Sequence, residues 1–205
     1  ALVRIHASGV NFIDIYFRMG LYSAPERPMK IGMEAAGVVE AVGPDVTTCK
    51  PGDRVVYCME RGSYAEYAAV PAWKLLPLPD EIDFTTGAQL ILQGLTAHYL
   101  TRSTYSLNSG DTCLVHAAGG GTGTLIVQMA KIMGARVIGT VSNQKKAQRA
   151  KEAGCDHIIN YKRENFVEIT KQLTEGKGVD VVYDGVGKST FLDGLDTLRP
   201  RGTMA

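Results

Sequence analysis

CLVHAAGGGTGTLIVQMAKIMGARVIGTV, residues 113–141, contains the strongest signal of the fold in this sequence. An apolar run at 113–117 leads into a glycine-rich turn at 118–123, then a helical pattern, then a second apolar run that ends at Val141. Continuous apolar runs predict strands buried on both faces, as in parallel sheets. The stretch therefore predicts a β-α-β unit of roughly 30 residues.

The alternation of strands and helices continues toward the end of the chain. Apolar runs read HIINY at 157–161, DVVYD at 180–184 and GTM at 202–204, with helical patterns between them. Upstream, the runs LVRIHASGV, AAGVVEAVG, GDRVVY and YAEYAAV are short and separated by Gly and Pro, which is typical of all-β structure. We predict an α/β protein whose all-β domain, residues 1–95, is followed by a doubly wound parallel-sheet domain, residues 96–205, with the boundary near Leu95.

The composition excludes several classes of protein. Apolar residues make up 45% of the 205 residues, charged residues make up 21%, and the formal net charge is only +1. These values are typical of an ordinary globular protein, and no basic stripe points to nucleic acid as the main partner. The sequence contains no apolar stretch of about eighteen residues, so it does not predict a membrane span. The four cysteines lack C-x-x-C spacing and read as reduced thiols, which favours a cytoplasmic location.

The two ends of the sequence look interrupted. The chain opens on the strand-like run that follows Ala1, and Gly202–Ala205 starts a further apolar run. We expect the sequence to be an excerpt of a longer protein in which both domains are incomplete.

The glycine turn has the pattern of a phosphate-binding site. It reads A-x-x-G-x-x-G, with Ala117, Gly120 and Gly123 in the three tight positions. Unpaired amides and the dipole of the following helix favour a pyrophosphate there, close to Gly121 and Thr122. A glycine turn can also serve merely to pack a helix on a strand, but the surrounding β-α-β pattern favours dinucleotide binding.

The end of the second strand indicates which dinucleotide is bound. Residues 140–146 read TVSNQKK, whereas an NAD site usually has Asp or Glu there to bind the ribose hydroxyls. Hydroxyl, amide and ammonium groups suit a 2′-phosphate, so the sequence favours NADPH. Alternatively, Lys145 and Lys146 form a solvated helix start, and that is the role we expect for Lys145.

Several separated motifs resemble a known family. SGVNFIDIYFRMGLY (8–22), HAAGGGTGTLIVQMAK (116–131), GTVSNQKKAQ (139–148) and VDVVYDGVGKSTF (179–191) resemble the quinone oxidoreductase, zeta-crystallin-like branch of the medium-chain dehydrogenase/reductase superfamily. The resemblance implies a GroES-like β-barrel domain followed by a Rossmann domain, with NADPH and the acceptor in the cleft between them. It also implies assembly as a homodimer or homotetramer.

The resemblance also implies roles for individual residues. Lys146, Tyr161 and Ser142 match residues around the 2′-phosphate. Gln93 and Thr96 match a segment near the nicotinamide, and Gly185 and Gly187 match a loop that passes the cofactor. Asn11, Tyr16 and Tyr22 match residues lining the nicotinamide and acceptor site. Each of these three has a plainer alternative: the tyrosines as half-buried aromatics, and Asn11 as a turn former.

The positions that bind zinc in related alcohol dehydrogenases hold other residues here. Asn11 stands where those enzymes have a cysteine, and Met33 stands before Glu34 where they have a histidine. Neither is a usual zinc ligand, and the four histidines, His6, His98, His116 and His157, are scattered and read as core or surface residues.

These observations predict no metal and the reduction of an electron-poor acceptor by NADPH. A quinone is the expected acceptor, in line with the family resemblance. Two alternatives remain open: an enone or enal reductase on the same scaffold, and a crystallin-like NADPH-binding protein with little turnover.

Overall fold

The computed structural model describes residues 1–23 and 28–205 of the chain. They form two compact units, Ala1–Leu92 and Gln93–Ala205. The sequence places the boundary near Leu95, and the structure divides between Leu92 and Gln93. Within the described residues, none of the helices combines the length and the apolar character needed to cross a membrane.

The first unit is built on an antiparallel sheet whose strand order is β4-β1-β2-β3-β5. Its strands are β1 Leu2–Ser8, β2 Glu34–Ala41, β3 Arg54–Cys58, β4 Tyr67–Ala69 and β5 Leu76–Pro77. The first four coincide with the four apolar runs of the sequence. A 3₁₀ turn, Ala72–Lys74, precedes β5.

A short helix, α1 Phe12–Arg18, departs from the all-β expectation for this half. Asn11 precedes it in an extended conformation, and its backbone N–H donates to Asp14 Oδ2 at 2.9 Å. An extended Asn followed three residues later by an acidic side chain is a helix-start pattern. The helix ends at a turn in which Gly20 has a φ of +77°. This local capping chemistry outweighs the β propensity of the aromatic residues.

The second unit is a sheet in which every strand pair is parallel, in the order β10-β9-β6-β7-β8. Its strands are β6 Thr112–Val115, β7 Arg136–Val141, β8 His157–Asn160, β9 Val179–Tyr183 and β10 Leu198–Met204. The helices are α2 Phe84–Tyr99, within which the two units divide, α3 Gly121–Ile132, α4 Gln144–Glu152, α5 Phe166–Leu173 and α6 Phe191–Leu195. A π-helical turn, Leu100–Thr104, follows α2.

Apolar side chains cover both faces of this parallel sheet. Cys113 and Val115 of β6 belong to one buried cluster with Val127 of α3, whereas Leu114 belongs to another with Phe166 of α5. Adjacent residues of a strand point to opposite faces, so helices lie on both sides of the sheet. This is the doubly wound arrangement predicted from the continuous apolar runs.

The chain order of the strands reverses at β6. From β6 the chain moves outward through β7 to β8, and then returns to the other side of β6 as β9. In open α/β sheets, ligands bind at the carboxyl ends of the strands where this reversal occurs. The glycine turn lies at that point, because it directly follows β6.

Candidate functional site

The turn between β6 and α3 is tighter than the sequence pattern suggests. β6 ends at Val115 and α3 begins at Gly121, so the strand is shorter and the helix starts earlier than expected. Ala117 adopts a φ of +52°, which L-residues rarely adopt, and its carbonyl accepts a hydrogen bond from Gly120 N at 2.8 Å. This geometry turns the chain sharply from the strand into the helix.

Glycine is required at Gly123 because the backbone of the turn lies against it. A Cβ there would be 3.0 Å from the Ala117 carbonyl carbon and 3.0 Å from Ala118 Cα. Helix geometry leaves the first amides of α3, those of Gly121, Thr122 and Gly123, without intrahelical acceptors. The turn thus presents a row of N–H donors at a helix N-terminus, where an anion is favoured.

Gln93 of α2 lies across this turn. A Cβ on Gly121 would be only 2.7 Å from Gln93 Cδ. Thr96, three residues later on the same helix, is half-buried. The structure therefore brings Gln93 to the predicted phosphate turn.

The start of α4 contacts the same turn through Gly119. A Cβ there would be 2.8 Å from Lys146 Cβ and 2.9 Å from its carbonyl carbon. Asn143 caps α4 by accepting a hydrogen bond from Lys146 N at 3.0 Å, and its Nδ2 lies 3.5 Å from Ser142 Oγ. Gly119, which the sequence motif leaves unassigned, is thus the residue that lets α4 approach the turn.

A cavity of about 410 Å³ lies at the carboxyl ends of β6 and β7. Four residues that the sequence predicts for cofactor binding line it, namely Ala117, Ser142, Lys146 and Tyr161. Lys145 is not among the lining residues. Hydroxyl, phenol and ammonium groups therefore surround one cavity, which also contacts the turn before α3 through Ala117.

The charge of this cavity is mixed. The 140–146 segment contains no carboxylate, but Glu164 and Asp193 also line the cavity, from the loop after β8 and from α6. Glu164 Oε2 accepts a hydrogen bond from Asn160 N at 2.8 Å, so this carboxylate also holds its own loop.

His116 lines the same cavity, whereas the sequence indicates only a core or surface role for it. It is 4% exposed, and its Nδ1 lies 2.9 Å from Thr140 Oγ1. Its Nε2 has no hydrogen-bond partner within residues 1–23 and 28–205. Burial lowers the pKa of His116 below 6.5, against an opposing effect of Asp184. Burial therefore favours the neutral form of this cavity-lining imidazole.

The loop after β9 is held by one carboxylate. Asp184 Oδ1 accepts hydrogen bonds from Val186 N at 2.8 Å and Gly187 N at 3.0 Å, and both carboxylate oxygens accept from Thr190 Oγ1. Gly187 has a φ of +82°, and Gly185 is exposed. The loop reaches the cavity through its neighbouring residues Val186, Ser189 and Thr190, while the two predicted glycines do not line it.

In the first unit, Tyr16 and Tyr22 lie together. Their ring centroids are 5.5 Å apart in an edge-on arrangement, and Phe17 packs on Tyr22 in the same way at 5.6 Å. Tyr22 remains 45% exposed. The two predicted tyrosines thus form one accessible aromatic surface on and after α1.

Asn11 is hydrogen-bonded to a residue that the sequence reading leaves without a role. Its side-chain Nδ2 donates to Glu34 Oε1 at 2.6 Å. Glu34 is fully buried, and its Oε2 accepts from Leu92 N at 2.8 Å. Burial raises the pKa of Glu34, the hydrogen bonds from Asn11 and Leu92 oppose this, and nearby Asp14 adds to the increase. The sequence signal of its role is a carboxylate that directly precedes the apolar run of β2.

Asp14 organises the backbone around Asn11. It is buried and accepts hydrogen bonds from Asn11 N at 2.9 Å, Gly32 N at 3.0 Å and Tyr64 Oη at 2.9 Å. Burial and the hydrogen bond to Asp14 raise the pKa of Tyr64 to about 12. Tyr64 is a second residue near this site that the sequence reading does not identify.

Comparison with known proteins places both units in one family. Residues 1–80 match the alcohol dehydrogenase GroES-like domain, and residues 121–205 match the zinc-binding dehydrogenase domain. A quinone oxidoreductase of Pseudomonas aeruginosa is 48% identical over 203 residues, which are 98% of this chain and 62% of that protein. The chain belongs to the quinone oxidoreductase branch of the medium-chain dehydrogenase/reductase superfamily.

Two further members of the superfamily illustrate the range of relatives. The crystal structure of Escherichia coli quinone oxidoreductase complexed with NADPH superposes with a TM-score of 0.96 at 46% identity, covering 99% of this chain and 63% of that one. A 2-haloacrylate reductase of a Burkholderia species is 46% identical over 209 residues, which are 99% of this chain and 63% of that protein. The chain spans 61 to 63% of the length of three curated relatives that it matches.

Met33, which stands at a position that the family resemblance relates to a zinc ligand, is buried and takes part in backbone hydrogen bonding. Met33 is 5% exposed, and its carbonyl accepts a hydrogen bond from Met59 N at 2.8 Å. Among the residues the structure describes, no group of three or more His, Cys, Asp or Glu side chains is placed to hold a metal ion.

Proposed function

We propose that the full-length protein reduces quinones with NADPH and does so without zinc. The observation that supports this most directly is the cavity at the end of β7, which gathers Lys146, Ser142 and Tyr161 beside the α3 turn. An ammonium, a hydroxyl and a phenol suit a phosphate dianion, which distinguishes NADPH from NADH. The relative from Escherichia coli, crystallised with NADPH, supports the same cofactor.

The pyrophosphate would lie at the N-terminus of α3. In our proposal, Ala117 and Gly120 shape the turn, and the amides of Gly121, Thr122 and Gly123 bind the phosphate oxygens. The close packing at Gly121 and Gly123, where side-chain atoms would collide with neighbouring groups, fits a cradle that keeps its backbone accessible.

Four further residues would hold the remainder of the cofactor. We assign Gln93 and Thr96 to the nicotinamide end and Gly185 and Gly187 to the loop that passes over the cofactor. The Gln93 side chain lies at Gly121, beside the proposed pyrophosphate position, which supports contact of Gln93 with the cofactor. The second rests on the family resemblance alone.

The acceptor would be oriented by Asn11, Tyr16 and Tyr22. When bound, NADPH supplies the reducing equivalents, and this chain supplies hydrogen bonds from Asn11 and Tyr16 to the acceptor oxygen as negative charge develops there. The aromatic surface of Tyr16 and Tyr22, of which Tyr22 is 45% exposed, offers an apolar contact for a quinone ring. That the acceptor lies in a cleft between the domains, and that the protein is a homodimer or homotetramer, stay predictions.

Residue chemistry supports the absence of zinc from the reaction. The amide of Asn11 and the thioether of Met33 stand where the related alcohol dehydrogenases have thiolate and imidazole ligands. Without a Lewis acid to activate an alcohol, reduction of an acceptor that is already electron-poor is the chemistry that these residues favour.

Oxidation of NADPH and NADH by the full-length protein, with 1,2- and 1,4-quinones as acceptors, tests the proposal. We expect at least a tenfold preference for NADPH in kcat/KM, and turnover that persists after dialysis against a metal chelator. Asn11→Ala and Tyr16→Phe should each lower quinone turnover about tenfold or more, because each removes a donor to the developing charge. Unchanged turnover in both variants would contradict the acceptor-site assignment.

An enone or enal reductase is the second candidate. The 46% identity to a 2-haloacrylate reductase favours it, because that relative is named for the reduction of a substituted acrylate. Profiling enones and haloacrylates beside quinones separates the two activities. NADPH binding without oxidation by any acceptor would instead indicate the crystallin-like alternative.

A further inference from the structure

Glu34 is a buried carboxylate for which the proposed function has no role. It is the first residue of β2, and its side chain is completely removed from solvent. Each carboxylate oxygen accepts one N–H: Oε1 from Asn11 Nδ2 at 2.6 Å, and Oε2 from Leu92 N at 2.8 Å. Glu34 therefore connects the predicted acceptor-binding amide to helix α2.

The apolar surroundings alone do not explain a carboxylate at this position. Moving a charged carboxylate out of water is unfavourable unless hydrogen bonds compensate for the lost hydration. Glu34 belongs to a strand whose next three residues are Ala, Ala and Gly, which are also buried. These apolar neighbours do not account for a carboxylate at position 34, whereas the N–H groups of Asn11 and Leu92 do, because each donates to one of its oxygens.

The backbone is shaped to receive this side chain. A Cβ on Gly9 would lie 2.5 Å from both Glu34 Cγ and Glu34 Cδ. Any residue other than glycine at position 9 would thus collide with the Glu34 side chain. The backbone at Gly9 therefore leaves space for the Glu34 side chain. Gly9 lies two residues before Asn11.

The effect on Asn11 follows from hydrogen-bond chemistry. An ionised carboxylate only accepts, so the group of Asn11 that points to Glu34 must be its NH₂ and not its carbonyl oxygen. Asp14 holds the backbone N–H of the same residue at 2.9 Å. The main chain of Asn11 and the rotation of its amide are therefore both fixed by carboxylates. An NH₂ group has two N–H bonds, so one can serve Glu34 and the other an acceptor oxygen.

We propose that Glu34 is a positioning residue, whose buried carboxylate holds the Asn11 amide in the orientation that hydrogen-bonds the acceptor. The inference rests on the proposed function, because Asn11 is the acceptor-binding residue only within it. Glu34 acts through Asn11 and does not touch the acceptor.

A double-mutant cycle in the full-length protein tests the inference. Glu34→Gln keeps the size of the side chain but replaces one accepting oxygen with a donor. It should lower kcat for a 1,4-quinone about tenfold or more and change the NADPH dissociation constant less than twofold. In an Asn11→Ala background, where the amide is absent, the same substitution should change kcat less than twofold. Glu40→Gln on the exposed part of β2 is the matched control and should leave kcat unchanged.

Equal effects of Glu34→Gln in both backgrounds would overturn the inference, because Glu34 would then act independently of Asn11. A loss of NADPH affinity as large as the loss in kcat would also overturn it, since this is the result of a general structural defect. Thermal unfolding of each variant identifies any that fail to fold.

A second measurement needs no variant and no turnover. The NMR signals of the Asn11 side-chain NH₂ in the wild-type protein should move with the same pH midpoint as the Glu34 carboxyl carbon. Asp14, Cys58 and Tyr64 are the other titratable groups close to Glu34, and their midpoints must be assigned separately. Asn11 signals that ignore the Glu34 titration would overturn the inference even if the protein is an active reductase. If the signals do follow Glu34 and NADPH is not oxidised with any acceptor, the proposed function fails instead.

Discussion

Lys145 and Lys146 show how two identical neighbouring residues take different places. Both are exposed and lie in the first turn of α4. Lys146 lines the cavity together with Ser142 and Tyr161, whereas Lys145 is not among the lining residues. A helix turns about 100° per residue, so adjacent side chains point in different directions. The sequence predicts different roles for the two lysines, with Lys145 facing water.

Lys146→Ala should therefore weaken NADPH binding while leaving NADH binding nearly unchanged. Removing one charge-assisted contact to a phosphate costs about 1.5–3 kcal/mol, which corresponds to roughly tenfold or more in the dissociation constant. Fluorescence titration of the full-length protein with both cofactors measures the effect. Lys145→Ala is the control, and an equal loss in both variants would indicate only a general electrostatic attraction.

At the scale of elements, the junction of β6, its turn and α3 depends on close backbone contacts. Ala117 has a positive φ. Gly123 packs so closely against the Ala117 carbonyl that a Cβ at this position would collide with it. Gly119 admits the start of α4 in the same way. The turn is therefore a packing junction for three elements, as well as the predicted phosphate site.

Gly123→Ala should destabilise the protein by about 1–3 kcal/mol, because the added methyl group forces the helix away from the turn. Gly94→Ala provides a matched comparison within helix α2, since a Cβ there meets nothing within 4 Å. It should be neutral or stabilise by up to about 1 kcal/mol through helix propensity. Urea unfolding of both variants gives the two free energies. Similar values for the two would mean that the turn relaxes without cost.

At the scale of the whole molecule, each candidate site contains a buried group whose pKa is shifted by burial, Glu34 in the first unit and His116 in the second. Burial raises the pKa of Glu34 in the first unit and lowers that of His116 in the second. In both cases the native state disfavours the charged form. The contribution of Glu34 to stability is thus present below pH 4.5 and is lost as the pH rises through its raised pKa. The contribution of His116 to stability is present above pH 6.5 and is lost as the pH falls through its lowered pKa.

The free energy of unfolding should therefore fall as the pH drops from 6.5 toward the lowered pKa of His116. Over that interval the unfolded chain takes up a proton that the native protein does not. Urea unfolding at several pH values between 7 and 5 measures this slope. The slope should be shallower in His116→Gln and unchanged in His98→Gln, which alters an exposed histidine of α2. Equal slopes in wild type and His116→Gln would show that this histidine does not contribute.

Much of the architecture is readable from local patterns. The apolar runs of the first half form β1 to β4, and the alternation after residue 96 becomes the parallel sheet. Lys146, Ser142 and Tyr161 line one cavity, and their binding of the 2′-phosphate stays a prediction. Helix α1 is different, because its start depends on the short-range interaction of Asn11 with Asp14 within a segment that otherwise favours strands.

The sequence by itself determined the α/β class, the order of strands and helices and the place of the glycine turn, because periodicity and turn chemistry act over a few neighbouring residues. Only the tertiary structure decided that Glu34 accepts a hydrogen bond from Asn11. It also decided that His116 lines the cavity, and that Glu164 and Asp193 line it together with Lys146. Glu34 and Asn11 are 23 residues apart in the sequence, and Lys146, Glu164 and Asp193 belong to different segments of the second unit. Contacts of this kind depend on which strand ends and helices the folded sheets bring together, and burial then shifts the pKa of Glu34 and of His116.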